Sequence, residues 1–149
     1  SYTNADSNGI HYFTVQWPTD ALSWADFRGE VLGATDPATA APGSARRVIY
    51  ENWEQLGLPG QPNVGDNGVH ASASPFEALA ERMNWLGVEL KDDAFGAALL
   101  EAGVPEKYIK DGSVDPQVKQ EDGSMGSLFA ALEDQDARGV EPKGVRIRQ

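Results

Sequence analysis

Along Ile10–Trp17 (Ile-His-Tyr-Phe-Thr-Val-Gln-Trp) aromatic and β-branched residues crowd together, which predicts a strand ending at Pro18. The spacing then becomes helical. Ala21, Leu22, Trp24, Ala25, Phe27 and Leu32 predict a helix capped by Asp20 or Ser23 and running to about Leu32. Gly33 to Gly43 reads as a loop by composition. Ser44 is placed to cap a helix from Ala45 to about Leu56. Gly57 to Gly68, rich in glycine and proline, reads as a second loop, and Val64 and Val69 are too sparse to predict a strand.

Ser74-Pro75-Phe76-Glu77 is the clearest helix start in the chain. Ser74 is the expected cap, Pro75 suits the first helical position, and Glu77 completes a capping box. That helix is predicted to end at Leu86, before Gly87. Asp92 or Asp93 caps a further helix over Ala94–Ala102, ended by Gly103, and Pro105–Ile109 is read as one turn. Gly112–Ser127 reads as polar loop, Ser127–Ala137 as a short helix, and Val145–Ile147 as a faint strand in a tail. The pattern divides the chain into a polar leader (1–9), a strand-and-helix unit (10–86) and a mostly helical extension (87–149).

Charge narrows the function. The 149 residues hold 23 acidic and 12 basic side chains, for a net charge of −11. Nucleic acid and anionic lipid are therefore unexpected partners, since both need clustered Lys and Arg. With no cysteine and two histidines, thiol chemistry, disulfides and Cys- or His-rich metal sites are excluded. The acidic pairs Asp92-Asp93, Glu121-Asp122 and Glu133-Asp134 are not read as a metal site. The four tryptophans fall at apolar positions and are expected in a core or an interface. No membrane-spanning run or signal peptide is evident, and Ser1 in place of Met suggests a processed product or a fragment.

One histidine has a setting that suggests chemistry. His70 lies just before the Ser74 helix start, and Glu77 and Glu81 follow at helical spacing. A carboxylate there can turn back to fix the imidazole tautomer, which leaves the other ring nitrogen as a nucleophile.

The run Asn67-Gly68-Val69-His70-Ala71-Ser72-Ala73-Ser74 resembles the Asn-x-x-His-Gly-Ser-Asp-Ser signature of nucleoside diphosphate kinases. Upstream, Leu32-Gly33-Ala34-Thr35-Asp36-Pro37-Ala38 and Pro42-Gly43-Ser44-Ala45-Arg46 resemble two further motifs of that family, with the family's gap between Thr35 and Arg46. The resemblance covers roughly residues 9–86 and implies an α+β, ferredoxin-like fold. It further implies that His70 accepts the γ-phosphate, with Glu81 orienting its ring and Ser72 matching the first signature serine. Thr35 and Arg46 would hold the phosphates, and Asn67 the sugar. Mg²⁺ would arrive with the nucleotide, and nucleoside di- and triphosphates would be the substrates.

Several departures shape the expectation. The family's first strand, its lysine and its nucleotide-contacting tyrosine have no counterpart before Ile10. Ala71 and Ala73 replace Gly and Asp of the signature. The family arginine position falls on Gly29, and Arg28 beside it is expected to point elsewhere on a helix. Extra residues fall within Val48–Asn67, and the extension is unmatched. Only the C-terminal half of the domain is thus expected here, with a second polypeptide or larger assembly supplying the missing strands, because two strands rarely hold alone. The resemblance implies phosphoryl transfer through His70. The alternatives are an inactive, kinase-like structural subunit and a nucleotide sensor without turnover.

Overall fold

A computed structural model describes residues 9–18 and 20–137. Ser23 opens the first helix, its Oγ accepting the Asp26 amide at 3.0 Å. Helix α1 (Trp24–Asp26) passes directly into a π-helical segment, Phe27–Leu32. Gly33 closes that segment by donating its N–H to the Arg28 carbonyl at 3.0 Å, five residues back.

Ile10–Trp17 is not a strand, against expectation. Among the described residues no neighbouring edge is available to it, and an extended run without a ladder partner forms no sheet. Only Trp17 is anchored. Its indole donates to the Leu22 carbonyl at 2.9 Å and stacks on Phe27 at 4.6 Å. Ile10, Tyr12, Phe13 and Val15 are exposed.

Helix α2 (Ala45–Glu51) stops short of Leu56. Asn52 ends it, with its side-chain amide donating to the Val48 carbonyl at 2.8 Å, the local competition that makes asparagine a helix breaker. Ser44 precedes α2 without capping it: the hydroxyl makes no cap hydrogen bond and is buried with no partner.

Helix α3 (Pro75–Leu86) has the expected bounds. Ser74 Oγ accepts the Glu77 amide at 3.2 Å, and Gly87 ends the helix in the left-handed conformation. The Glu77 carboxylate reaches the Ala73 amide, one residue before the Ser74 amide that a standard capping box would use.

The core joins α3 to the extension. Leu79 of α3 packs with Leu90 of a 3₁₀ turn (Leu90–Asp92), Leu99 of α4 (Ala94–Glu101) and Ile109 of α5 (Glu106–Gly112). Each such buried aliphatic side chain stabilises the fold by roughly 1.5–3 kcal/mol. Helix α5 runs past the expected single turn, carrying Ile109 into this core. Asp93 fixes the corner. Its carboxylate caps α4 through the Phe95 and Gly96 amides and holds Arg82 of α3 at 2.5 and 3.0 Å.

The Gly112–Ser127 segment, expected as loop, contains an antiparallel pair. Strand β1 (Gln117–Lys119) faces β2 (Met125–Ser127), with Val118 opposite Gly126. It is the only sheet among the described residues, so the architecture there mixes helices with one small hairpin. Helix α6 (Leu128–Ala131) follows, capped by Ser127, and ends earlier than expected. Val145–Ile147 lies outside the described residues. No helix among the described residues is long and apolar enough to cross a membrane.

Candidate functional site

Three segments meet in front of α3. The first is the Gly33–Ser44 loop. Gly33 has φ 97°, and a Cβ there would lie 2.4 Å from Ser44 Oγ, so both backbone conformation and space require glycine. The second segment is the start of α2, and the third is the stretch from Asn67 to Ala73.

Arg46 ties the three together. Its Nη1 donates to the Gly33 carbonyl at 2.8 Å and its Nη2 to the Val69 carbonyl at 3.0 Å. The Nε is buried and unpartnered. Burial, followed by the charge of Arg28, pushes the Arg46 guanidinium below its ordinary value. Two of its five N–H donors are thus committed to the backbone. Asn67 donates from its side-chain amide to the Thr35 carbonyl at 3.1 Å, which joins the first loop to the third segment. Thr35 itself is exposed on that loop.

His70 stands in the open. Its side chain is 70% exposed, and its Nε2 lies 2.6 Å from Glu81 Oε1. The other carboxylate oxygen of Glu81 accepts the Ser72 hydroxyl at 2.5 Å. Where the ring is neutral and the carboxylate ionised, Glu81 can only accept, so Nε2 carries the proton and Nδ1 keeps its lone pair. The helix start explains the placement. With Ser74 and Pro75 fixing the first turn, Glu81 falls on the face turned back toward the His70 segment. His70, Ser72 and Glu81 form one contact group. Asn67 and Thr35 are joined in a second pair, and Arg46 is tied to the first group only through the Val69 carbonyl, one residue before His70.

Sequence reasoning missed the other side of this site. Arg28, expected to point elsewhere, lies in the π-helical segment, and its side chain reaches the acidic turn at Glu133 and Asp134. Arg28 lies close enough for its charge to act on Arg46. Its Nη1 is held by Glu133 at 2.7 Å and Asp134 at 2.6 Å. Burial alone would lower the Arg28 value, but these two carboxylates outweigh it and raise it. The acidic turn and helix α1 both hold the segment after His70. The Asp134 amide donates to the Ala73 carbonyl at 2.9 Å, and the Trp24 indole donates to the Ser72 carbonyl at 3.0 Å. Asp136 in turn accepts the Trp24 amide at 2.7 Å. The adjacent acids at 133 and 134 were the sequence signal, but nothing in their spacing named Arg28 as the partner.

No group of three or more metal-ligating side chains gathers among the described residues.

Comparison with known proteins supplies context for this geometry. The chain is 40% identical over 62 residues to a nucleoside diphosphate kinase of Ruegeria pomeroyi, a stretch covering 41% of this chain and 36% of that protein. It is 42% identical over 52 residues to the nucleoside diphosphate kinase of Dinoroseobacter shibae, covering 35% and 29% respectively. With that of Roseobacter denitrificans it shares 41% over 63 residues, covering 41% and 36%. The chain therefore has partial similarity to nucleoside diphosphate kinases and spans about a third of the length of these curated relatives. No protein-family model matches it, and no solved structure does.

Proposed function

We propose that the chain carries a phosphoryl-transfer site of the nucleoside diphosphate kinase type, with His70 as the group that accepts phosphate. The observation that carries this reading is the exposed imidazole held through Nε2 by Glu81, on a chain partly similar to such kinases. In the first half-reaction the Nδ1 lone pair attacks the γ-phosphorus of a nucleoside triphosphate. The bond from that phosphorus to the bridging oxygen breaks, and the diphosphate leaves with the electron pair. Glu81 keeps the proton on Nε2 and stabilises the positive charge that develops on the ring. In the second half-reaction a terminal oxygen of another nucleoside diphosphate attacks the same phosphorus and releases Nδ1.

Arg46, with its remaining donors, and the exposed Thr35 hydroxyl are assigned to the phosphates. Asn67, at the edge of the same loop, is assigned to the sugar. Ser72 shares the Glu81 carboxylate and holds it in place. Mg²⁺ is assigned to the nucleotide phosphates, as is usual for this hard, reluctantly dehydrated ion.

The exposed apolar side chains of Ile10, Tyr12, Phe13 and Val15 favour completion of a sheet by polypeptide beyond the residues described here. On this reading residues 10–86 are the kinase-like unit and 87–149 an extension, although α3 shares its core with the extension.

A second reading is an inactive, kinase-like subunit of a larger assembly. It is favoured by Arg46, which already holds two backbone carbonyls, and by the ion pairs on Arg28.

The test is phosphate labelling. The chain, with any partner that copurifies, is incubated with Mg²⁺ and γ-labelled ATP and probed for an acid-labile, base-stable phosphoryl group. Label that is lost in His70→Ala and discharged by GDP supports transfer. Folded protein that takes up no label favours the second reading.

A further inference from the structure

Resting on the nucleotide-site reading above, we propose that the acidic turn Glu133–Asp134 is a built-in competitor for a bound phosphate chain, holding Arg28 until a polyphosphate takes it over. Both carboxylates converge on one nitrogen, Nη1 of Arg28, at 2.7 and 2.6 Å. This is the charge and acceptor pattern that a phosphate oxygen brings to a guanidinium. Arg28 lies on the Phe27–Leu32 turn that leads into Gly33, whose carbonyl Arg46 holds at 2.8 Å, and the Asp134 amide reaches the Ala73 carbonyl, so the ion pair borders the site.

The turn is suited to release. Its carboxylates are 48% and 44% exposed, and solvent-exposed ion pairs are weak. Asp134 sits at φ 59°, a left-handed conformation that adds a small backbone cost. A triphosphate carries more charge than two carboxylates. The turn also connects to the catalytic segment, because the Asp134 amide holds the Ala73 carbonyl three residues past His70.

The experiment is equilibrium binding of inorganic tripolyphosphate, and separately of Mg-ATP, to the full chain by calorimetry. Wild type is compared with Glu133→Gln alone, Glu133→Gln/Asp134→Asn, and the same pair combined with Arg28→Gln. Asparagine tolerates the left-handed backbone at 134, and Glu133→Gln leaves that backbone untouched. The double variant should bind roughly three- to tenfold more tightly than wild type, with a smaller gain for Glu133→Gln alone. The gain should vanish once Arg28 is removed. Equal or weaker binding by both acid variants, with binding retained by wild type, overturns the competitor role while leaving the nucleotide site standing. A gain that survives Arg28→Gln also overturns it, since general loss of negative charge then accounts for the effect. Absence of binding by all four proteins removes the nucleotide-site reading and the competitor with it.

Discussion

Glu81 receives His70 and Ser72 on its two separate carboxylate oxygens, at 2.6 and 2.5 Å. One carboxylate thus sets the imidazole tautomer, while a serine two residues along the chain sets the carboxylate. The arrangement depends on α3, because Glu81 lies on a turn whose start is fixed by the Ser74 cap. A local helix signal in the sequence therefore aims the ring nitrogen of a residue outside the helix.

Removal of that carboxylate tests the relationship. On the proposed reading, Glu81→Ala is expected to lower the rate of His70 labelling by roughly ten- to a hundredfold, the range seen when the carboxylate behind a metal-ligating imidazole is lost. Ser72→Ala keeps the carboxylate and loses only its brace, so its effect should be smaller. Single-turnover labelling measures both. A Glu81→Ala rate equal to wild type would mean that the contact plays no part in the chemistry.

The loop glycine and the buried serine form a second testable pair. Rules for helix starts predict that Ser44→Ala costs about 1 kcal/mol, because serine is a preferred cap. The structure predicts no such loss, because the hydroxyl makes no cap bond and has no partner. An unsatisfied buried hydroxyl carries a penalty of roughly 1–3 kcal/mol, so Ser44→Ala should be neutral or stabilising. Gly33→Ala should destabilise by about 1–3 kcal/mol from the backbone conformation alone, with the Ser44 contact adding to it. In the Gly33→Ala/Ser44→Ala double variant part of that loss should be recovered. Urea unfolding of the three variants checks the set, and a Ser44→Ala loss of a full kilocalorie would reject the packing described.

Elements with strong local punctuation were legible in the sequence. Helix α3 has the bounds its Ser-Pro-x-Glu start and Gly87 stop predict, and Asp93 caps α4. Helical spacing offered Glu77 and Glu81 as partners for His70, and the resemblance singled out Glu81, which makes the contact. Features that depend on distant partners were not legible. Ile10–Trp17 has the composition of a strand, but strands form only where a neighbour presents an edge. The π-helical turn that carries Arg28 has no local signature, since Phe27–Leu32 reads as ordinary helix. The β1–β2 hairpin was hidden by polar residues, because it is short and largely exposed.

Arg46 provides a third test because it does two kinds of work. Its planar fork reaches Gly33 and Val69 together, which one ammonium group cannot do. Arg46→Lys should therefore destabilise by about 1–2 kcal/mol through the lost carbonyl contacts. If Arg46 also binds phosphate, labelling should fall further than the unfolded fraction explains. Unfolding and labelling measured on the same preparation separate the two. Unchanged stability would rule out the bridging role.

The Arg82–Asp93 corner makes stability depend on acid. Burial alone would raise the Asp93 value, but Arg82 and the amides of Gly96 and Phe95 outweigh it and hold it below the ordinary 3.8. A carboxylate whose folded-state value is depressed contributes its stability in full above its unfolded value. That contribution is lost as pH falls from there through the lower folded-state value. The Asp93 side chain is only 5% exposed, so the contacts are shielded from solvent. Asp93→Asn should therefore destabilise by roughly 1–3 kcal/mol at pH 7 and at pH 5. The gap from wild type should narrow below about pH 4, where the unfolded-state carboxylate takes up a proton ahead of the folded one. Urea midpoints at pH 7, 5 and 3 test the sign, and a gap that widens toward pH 3 would contradict the assignment.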